Sequence, residues 1–499
     1  MIMFVLTFIL NTATFACLCR LHVQRNQFRF LDSQFVPQQI DLQAMEINKN
    51  EKIPKWITTY GEALHNFEQL IKSASKTIHI CGFALHLARL MPCGQSLADV
   101  LNERAEEGVK VYILMNSTAE YANLFPQQAR QQLHPSVRLY ASRNKSHEFK
   151  TNVFNQKGYS FTHIKMCCVD LSMMQVGCID VDPWERIDYN VLNKNNFAWH
   201  EIAFVFRCTP AISQWVTSKF QCGSFNVCSN DIIPPFPLVC GGTYEANVMC
   251  KMIDTAEKSV YMEHQMISMG PAEDASVQLI LESLAKKIAF VPDFQVIMVT
   301  NTIQDDEYNA ISRHFSALSL QATKQHMNEM VRRIMSSSGL TFNENAQEEK
   351  VRYLELRCTG GQNLKTHSNI MIVDTTLAVR SSSNITSRSL GFYPCDMEMG
   401  IVTRSGVESL LHSLILLHCP LLKVQKPQKP TLAMFLEMVD SGLSHAKPVE
   451  FPKMPGFLID WCMSISHLHS SSGHCYGKIN VQEVLFDGMV DKLILPQST

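Results

Sequence analysis

Two stretches of this chain, SFTHIKMCCVD and LKTHSNIMIVD, carry one pattern: a histidine, a polar residue two places on, and an aspartate five places later. The first holds His163, Lys165 and Asp170, the second His367, Asn369 and Asp374, with 204 positions between the histidines. The surroundings repeat as well. LIKSASKTIHICGFAL (70–85) and KMIDTAEKSVYMEHQM (251–266) each read as a helix end, a turn and an alternating strand, Thr77–Cys81 and Ser259–Glu263. VKVYILMNS (109–117) and FQVIMVTNT (294–302) are β-rich strands ending near an asparagine. Beyond each histidine come a carboxylate, Glu201 or Glu398, and a helical segment, PAISQWVTSKF or GVESLLHSLILLH. Five matched features in one order are poorly explained by chance. They predict a duplicated α/β chain, two layered lobes related by a pseudo-two-fold, with the active site at the seam.

The length and the 46% hydrophobic content allow lobes of this size. The spacing divides the chain into a hydrophobic segment 1–19, a linker 20–54, lobes 55–235 and 236–424, and an extension 425–499, with a polar helical insertion near 309–349. A formal net charge of -2 argues against broad nucleic-acid binding. Between Gln131 and Lys165, six cations face the single anion Glu148, which suits either an anionic substrate or a solvated loop. The 17 cysteines are scattered and form no CxxC pair, which argues against a zinc site and leaves the redox compartment open. Residues 2–19 are apolar with few interruptions, and Arg20 and Arg25 follow. That run predicts membrane association or export, with a buried segment as the alternative.

Two such motifs facing each other would present imidazoles and ammonium groups to one small anion. At a phosphodiester one imidazole attacks phosphorus, the other protonates the leaving oxygen, and lysine neutralises the oxygens; no metal or other cofactor is required. Asp170, Glu201 and Glu398 are candidates for holding an imidazole in one tautomer.

HxKxxxxD followed by a small-residue polar turn resembles the motif of the phospholipase D superfamily. His163, Lys165 and Asp170 match, with Gly177 behind them; His367 and Asp374 match, followed by SSSNITSRS, where Ser382 and Asn384 fall on the family's serine and asparagine. VYMEHQMIS and WHEI are similar to segments of the eukaryotic-type branch, and the resemblance covers roughly residues 55–420. It implies a bilobed fold and a two-step mechanism with His163 as nucleophile and His367 as acid/base. Lys165 would then bind phosphate, with Glu201 and Glu398 orienting the histidines across the seam. The implied partner is a phospholipid membrane, with no specific nucleic acid; a nuclease is the weaker alternative.

Asn369 departs from the pattern, because it keeps a donor and loses the charge. A missing donor to a developing oxyanion commonly lowers the rate on the order of a hundredfold or more, which opens a third reading, a phospholipid-binding pseudo-enzyme. Lys365, two residues before His367, and Arg388 are candidate replacements for the missing cation. If Lys365 serves, Lys365→Ala should matter as much as Lys165→Ala, and Asn369→Lys should raise turnover.

Overall fold

The computed structural model describes residues 42, 54–449 and 451, except 84, 117–125, 143–146, 149–156, 159–161, 178–179, 182–198, 222–233, 271–272, 303–309, 359–363, 392–395 and 426–428. The expected membrane segment 2–19, nearly all of the linker and most of the extension lie outside the described residues, as do Arg143, Lys145 and Lys150 of the basic run. Among the described residues no helix is long and apolar enough to cross a membrane.

The first lobe contributes β1 (Lys55–Ile57), β2 (Thr77–Gly82), β3 (Lys110–Asn116), β4 (Arg138–Ser142), β5 (Met166–Val169), β6 (Met173–Val176), β7 (Trp199–His200) and β8 (Ala203–Arg207). The second contributes β9 (Leu238–Val239), β10 (Ser259–His264), β11 (Gln295–Thr300), β12 (Val351–Leu356), β13 (Lys365–Thr366), β14 (Ile370–Val373), β15 (Leu377–Ser381), β16 (Gly400–Thr403) and β17 (Ala446–Pro448). The sheets run β1-β8-β6-β5-β2-β3-β4 and β9-β16-β15-β14-β10-β11-β12-β17. Six successive strands correspond one to one, β8-β6-β5-β2-β3-β4 with β16-β15-β14-β10-β11-β12, so the duplication is real. In each, three strands are parallel and the motif strand joins them antiparallel. β17 adds part of the C-terminal extension to the edge of the second sheet.

The expected alternation in the opening strands is absent: β10 is buried at all six positions and β2 at five. Helices cover both faces of each sheet, so a run of buried residues replaces the alternating pattern. On one side of the first sheet Tyr60–Ser73 packs Phe67 and Ile71 into a core of that lobe. The opposite face packs under the helix Pro210–Gln221 and across the seam, where Met166, Val176 and Phe204 share a cluster with Leu238, Met399 and Ile401. That shared core joins the two motif regions.

The motif aspartates have a structural task, which corrects their expected place beside the imidazoles. Asp170 and Leu171 turn β5 into β6 with φ of 52° at both, and Asp374 and Thr375 do the same with 47° and 61°. Positive φ at both central residues marks the tight hairpin turn whose twist suits the flanking strands, and aspartate tolerates it. Each carboxylate then receives the backbone of the loop leading into the central strand. Asp170 accepts from the N–H groups of Ser75, Lys76 and Thr77 at 2.7–2.9 Å. Asp374 accepts from Glu257, Lys258 and Ser259.

Burial tends to raise the Asp170 carboxyl, but the donors from Thr77, Ser75 and Lys76 outweigh it and hold it below its ordinary value. Asp170→Ala should therefore destabilise the fold by about 2–3 kcal/mol, the range for removing hydrogen bonds to a charged group. Urea melts should show that difference in full above about pH 4, the range of an unfolded aspartate. It should shrink as pH falls through the lowered carboxyl, because a depressed carboxylate stabilises only while ionised.

Candidate active site

The two histidines meet. His163 stands just before β5 and His367 just before β14, and their rings lie edge to face with centroids 6.5 Å apart. The sequence pattern predicts His163 and Lys165 within a strand; they occupy the irregular segment leading into one, at the end of the sheet where the lobes face each other. Each of these lead-in segments is pinned to the opposite lobe. The His163 N–H donates to the Met397 carbonyl at 2.9 Å, and the His367 N–H donates to the His200 carbonyl at 2.8 Å. β7 and β13 pair parallel at this point, and Thr162 bridges Met397 in the same sense.

The carboxylates cross over as expected. His163 Nδ1 lies 3.0 Å from Glu398 Oε2, and His367 Nδ1 lies 2.8 Å from Glu201 Oε1. With both Nδ1 atoms engaged by carboxylates, each ring turns its Nε2 away from the carboxylate that holds it. Burial tends to raise the Glu398 carboxyl, but the charge of His163 and hydrogen bonds from His163 and Ser382 lower it on balance. Ser382 Oγ and Ser389 Oγ donate to it at 2.5 and 2.7 Å. Ser382, expected on the substrate, therefore orients Glu398. Behind the serine turn, Glu245 accepts from Ser383 Oγ at 2.9 Å, and burial pushes its carboxyl up to about 7.

The cations are arranged differently from expectation. Lys165 is buried, its Nζ lies 3.3 Å from Asp180, and it donates to the His163 carbonyl. Asp180 went unnoticed in the sequence, yet it stands 17 residues after His163, as Asn384 stands 17 after His367. The lysine–aspartate pair of one motif is thus an asparagine–asparagine pair in the other. Asn369 is buried, its Nδ2 donates to the Ser382 carbonyl at 3.0 Å, and its Oδ1 accepts from the Gln265 N–H at 3.1 Å. Asn384 Oδ1 likewise accepts from the Met266 N–H. Both polar side-chain atoms of Asn369 are thus taken up by backbone groups.

Of the two proposed replacements, Arg388 is corrected. It forms a bidentate pair with Asp396 at 2.6 and 2.8 Å, so that carboxylate occupies its guanidinium. Lys365 sits on β13 with Nζ 4.2 Å from the centroid of Trp199, whose ring meets His367 edge-on. It lies one aromatic ring from the histidine. The same strand face does not extend to Asn369, where φ is 42° and the alternation is broken.

Gly177 is corrected too. Its φ is +86°, and a Cβ there would come 2.4 Å from Arg380 Nη2. Arg380 is buried in β15 and donates through Nε to the Ile202 carbonyl at 2.8 Å, so the glycine makes room for a seam arginine. The signal for Arg380 was a lone charge in the apolar run LAVRS.

Residues 67–220, which span the first motif, match the family described as "Cardiolipin synthase, PLD-like domain". That match places a phospholipase D-like domain over the first lobe. Phosphatidylserine synthase from Haemophilus influenzae Rd KW20 is similar in structure at 12% identity, covering 89% of this chain and 95% of that one, with a TM-score of 0.49. NucT from Helicobacter pylori is similar at 14% identity over 34% of this chain and 93% of its own, with a TM-score of 0.24. Polyphosphate kinase from Porphyromonas gingivalis is similar at 9% identity over 78% and 55%, with a TM-score of 0.42. No curated protein sequence matches the chain. The duplicated phospholipase D-like architecture thus carries one full motif and one neutral one.

Proposed function

We propose that the chain cleaves the headgroup phosphodiester of a membrane phospholipid, with His163 as nucleophile and His367 as acid and then base. The observation that carries this reading is the ring pair at 6.5 Å, each ring held through Nδ1 by the other lobe's carboxylate. In the first step His163 Nε2 bonds to phosphorus and the P–O bond to the leaving group breaks, as His367 Nε2 delivers a proton to the departing oxygen. In the second, His367 takes a proton from water or an alcohol, whose oxygen displaces His163 and regenerates both side chains. Lys165 supplies the local positive charge, reduced by Asp180.

Residues 2–19 would hold the protein at the bilayer. The second reading, binding without turnover, is favoured by the neutral Asn369–Asn384 pair. One assay separates the readings: purified full-length protein with vesicles containing headgroup-labelled phosphatidylcholine, phosphatidylethanolamine or cardiolipin, and in parallel with single-stranded DNA. Headgroup release from one lipid is the expected result. Vesicle binding without release establishes the second reading, and cleavage of the DNA alone overturns both.

A further inference from the structure

Beneath the histidines the pseudo-two-fold holds in backbone and fails in chemistry. Next to His163 and Glu398 stand Ile164 and Met397, and the central strand below offers Cys81; the three belong to one apolar cluster. At the same positions of the other half stand Ser368, His200 and Glu263, the last opposite Ile370 as Cys81 is opposite Met166. Glu263 is fully buried and accepts from His200 Nε2 at 2.8 Å, Ser368 Oγ at 2.6 Å, His418 Nε2 at 2.6 Å and the Tyr261 hydroxyl. Burial opposes its charge, but the two histidines outweigh that and keep it ionised.

Such a cluster is an expensive way to fill space. Buried ionic groups replaced by apolar ones of similar volume are often no less stable, and the other half of this chain builds the same junction from apolar side chains. Its consequence is geometric. Side chains alternate along an extended backbone, so His200 and Ser368 point down to Glu263 while their neighbours Glu201 and His367 point up at each other. Gripping both downward residues fixes the separation of the upward pair, 2.8 Å from Nδ1 to carboxylate. Met397 cannot grip in this way, because its thioether packs adaptably and imposes no direction.

We propose that Glu263 is a positioning residue for one half of the site: it holds β7 and β13 so that His367 keeps its Nδ1–H on Glu201 and presents Nε2 for proton transfer. Through His418, at the end of Val407–His418, it also ties that helix to the junction. Naming the transfer rests on the proposed function; the geometry does not. Two imidazoles and a carboxylate are also ligand types for zinc. Two atoms bound to one tetrahedral zinc lie roughly 3.3 Å apart, however, and separations of 2.6 and 2.8 Å are those of direct hydrogen bonds.

The test uses full-length protein with 15N-labelled histidine. Long-range proton–nitrogen spectra near pH 8 are recorded for wild type, Glu263→Gln and the milder Ser368→Ala, with His367 assigned by His367→Asn. In Glu263→Gln the introduced amide sets a donor against the donors around it. Wild type should show His367 as one tautomer, protonated at Nδ1. Glu263→Gln should show a mixture, Ser368→Ala a smaller admixture, and headgroup release should fall by about tenfold or more in kcat with KM little changed. An unchanged His367 spectrum in a folded Glu263→Gln overturns the proposal, as does stoichiometric zinc in wild type that Glu263→Gln loses. If Glu263→Gln does not fold, an unchanged spectrum in Ser368→Ala overturns it equally. Spectra as expected without turnover in wild type would remove the proposed reaction and leave the positioning role intact.

Discussion

His163→Asn should abolish headgroup release, by about a thousandfold or more, while the protein melts close to wild type, because it removes the proposed nucleophile and leaves His367 only its acid–base part. His163 is the more exposed ring of the pair, with 13% of its side chain accessible against 5% for His367, so removing it disturbs packing less. His367→Asn should differ in kind. With a leaving group that departs unprotonated, such as p-nitrophenolate, the first step should survive, and phosphorylated His163 should accumulate because nothing activates water for the second. The check is acid-labile phosphate on the protein after mixing with a p-nitrophenyl phosphodiester. Phosphate trapped in His163→Asn, with neither trapped phosphate nor a burst of p-nitrophenol in His367→Asn, reverses the assignment of roles.

The duplication and the meeting of His163 with His367 were legible because each rests on order along the chain, whereas the crossing of Glu201 and Glu398 came from the family resemblance. A constant offset of 204 carries one motif onto the other, and strands in matching order must put matching ends together. The roles of the aspartates were not legible. Asp170 and Asp374 sit in the motif but in the hairpin turn beyond it, and a side chain at the far end of a strand serves the backbone there. Glu263 was hidden for the opposite reason. Nothing local in VYMEHQM says that its glutamate meets His200, Ser368 and His418, which join it only after both sheets and a later helix have assembled. The offset did contain one clue that composition conceals: Asp180 and Asn384 are equivalent, so the lysine and its counter-charge are absent together from the second motif.

That paired absence decides what happens when the lysine is put back. Asn369→Lys alone should fail to raise turnover and should destabilise the protein. Asn369 has φ of 42°, a left-handed conformation that asparagine adopts readily and lysine does not, at a cost of roughly 1–2 kcal/mol. Lys165 lies outside that region, so the two motifs differ in backbone and not in side chain alone. A lysine at this position would forgo the bonds that Asn369 makes to the Gln265 N–H and the Ser382 carbonyl, and would bury an ammonium where the residue equivalent to Asp180 is the neutral Asn384. An uncompensated buried charge typically costs about 3–5 kcal/mol. Asn369→Lys combined with Asn384→Asp supplies the counterpart of Asp180 and should recover most of that loss. If the backbone at Asn369 can return to the conformation of Lys165, the double variant should also raise headgroup release by about tenfold or more, the scale of one added charged donor at the phosphate. Denaturant melts and initial rates on all three proteins decide it. A single Asn369→Lys that is as stable as wild type and faster would show that the second motif lacks only a charge, and that the neutral pair plays no part in shaping it.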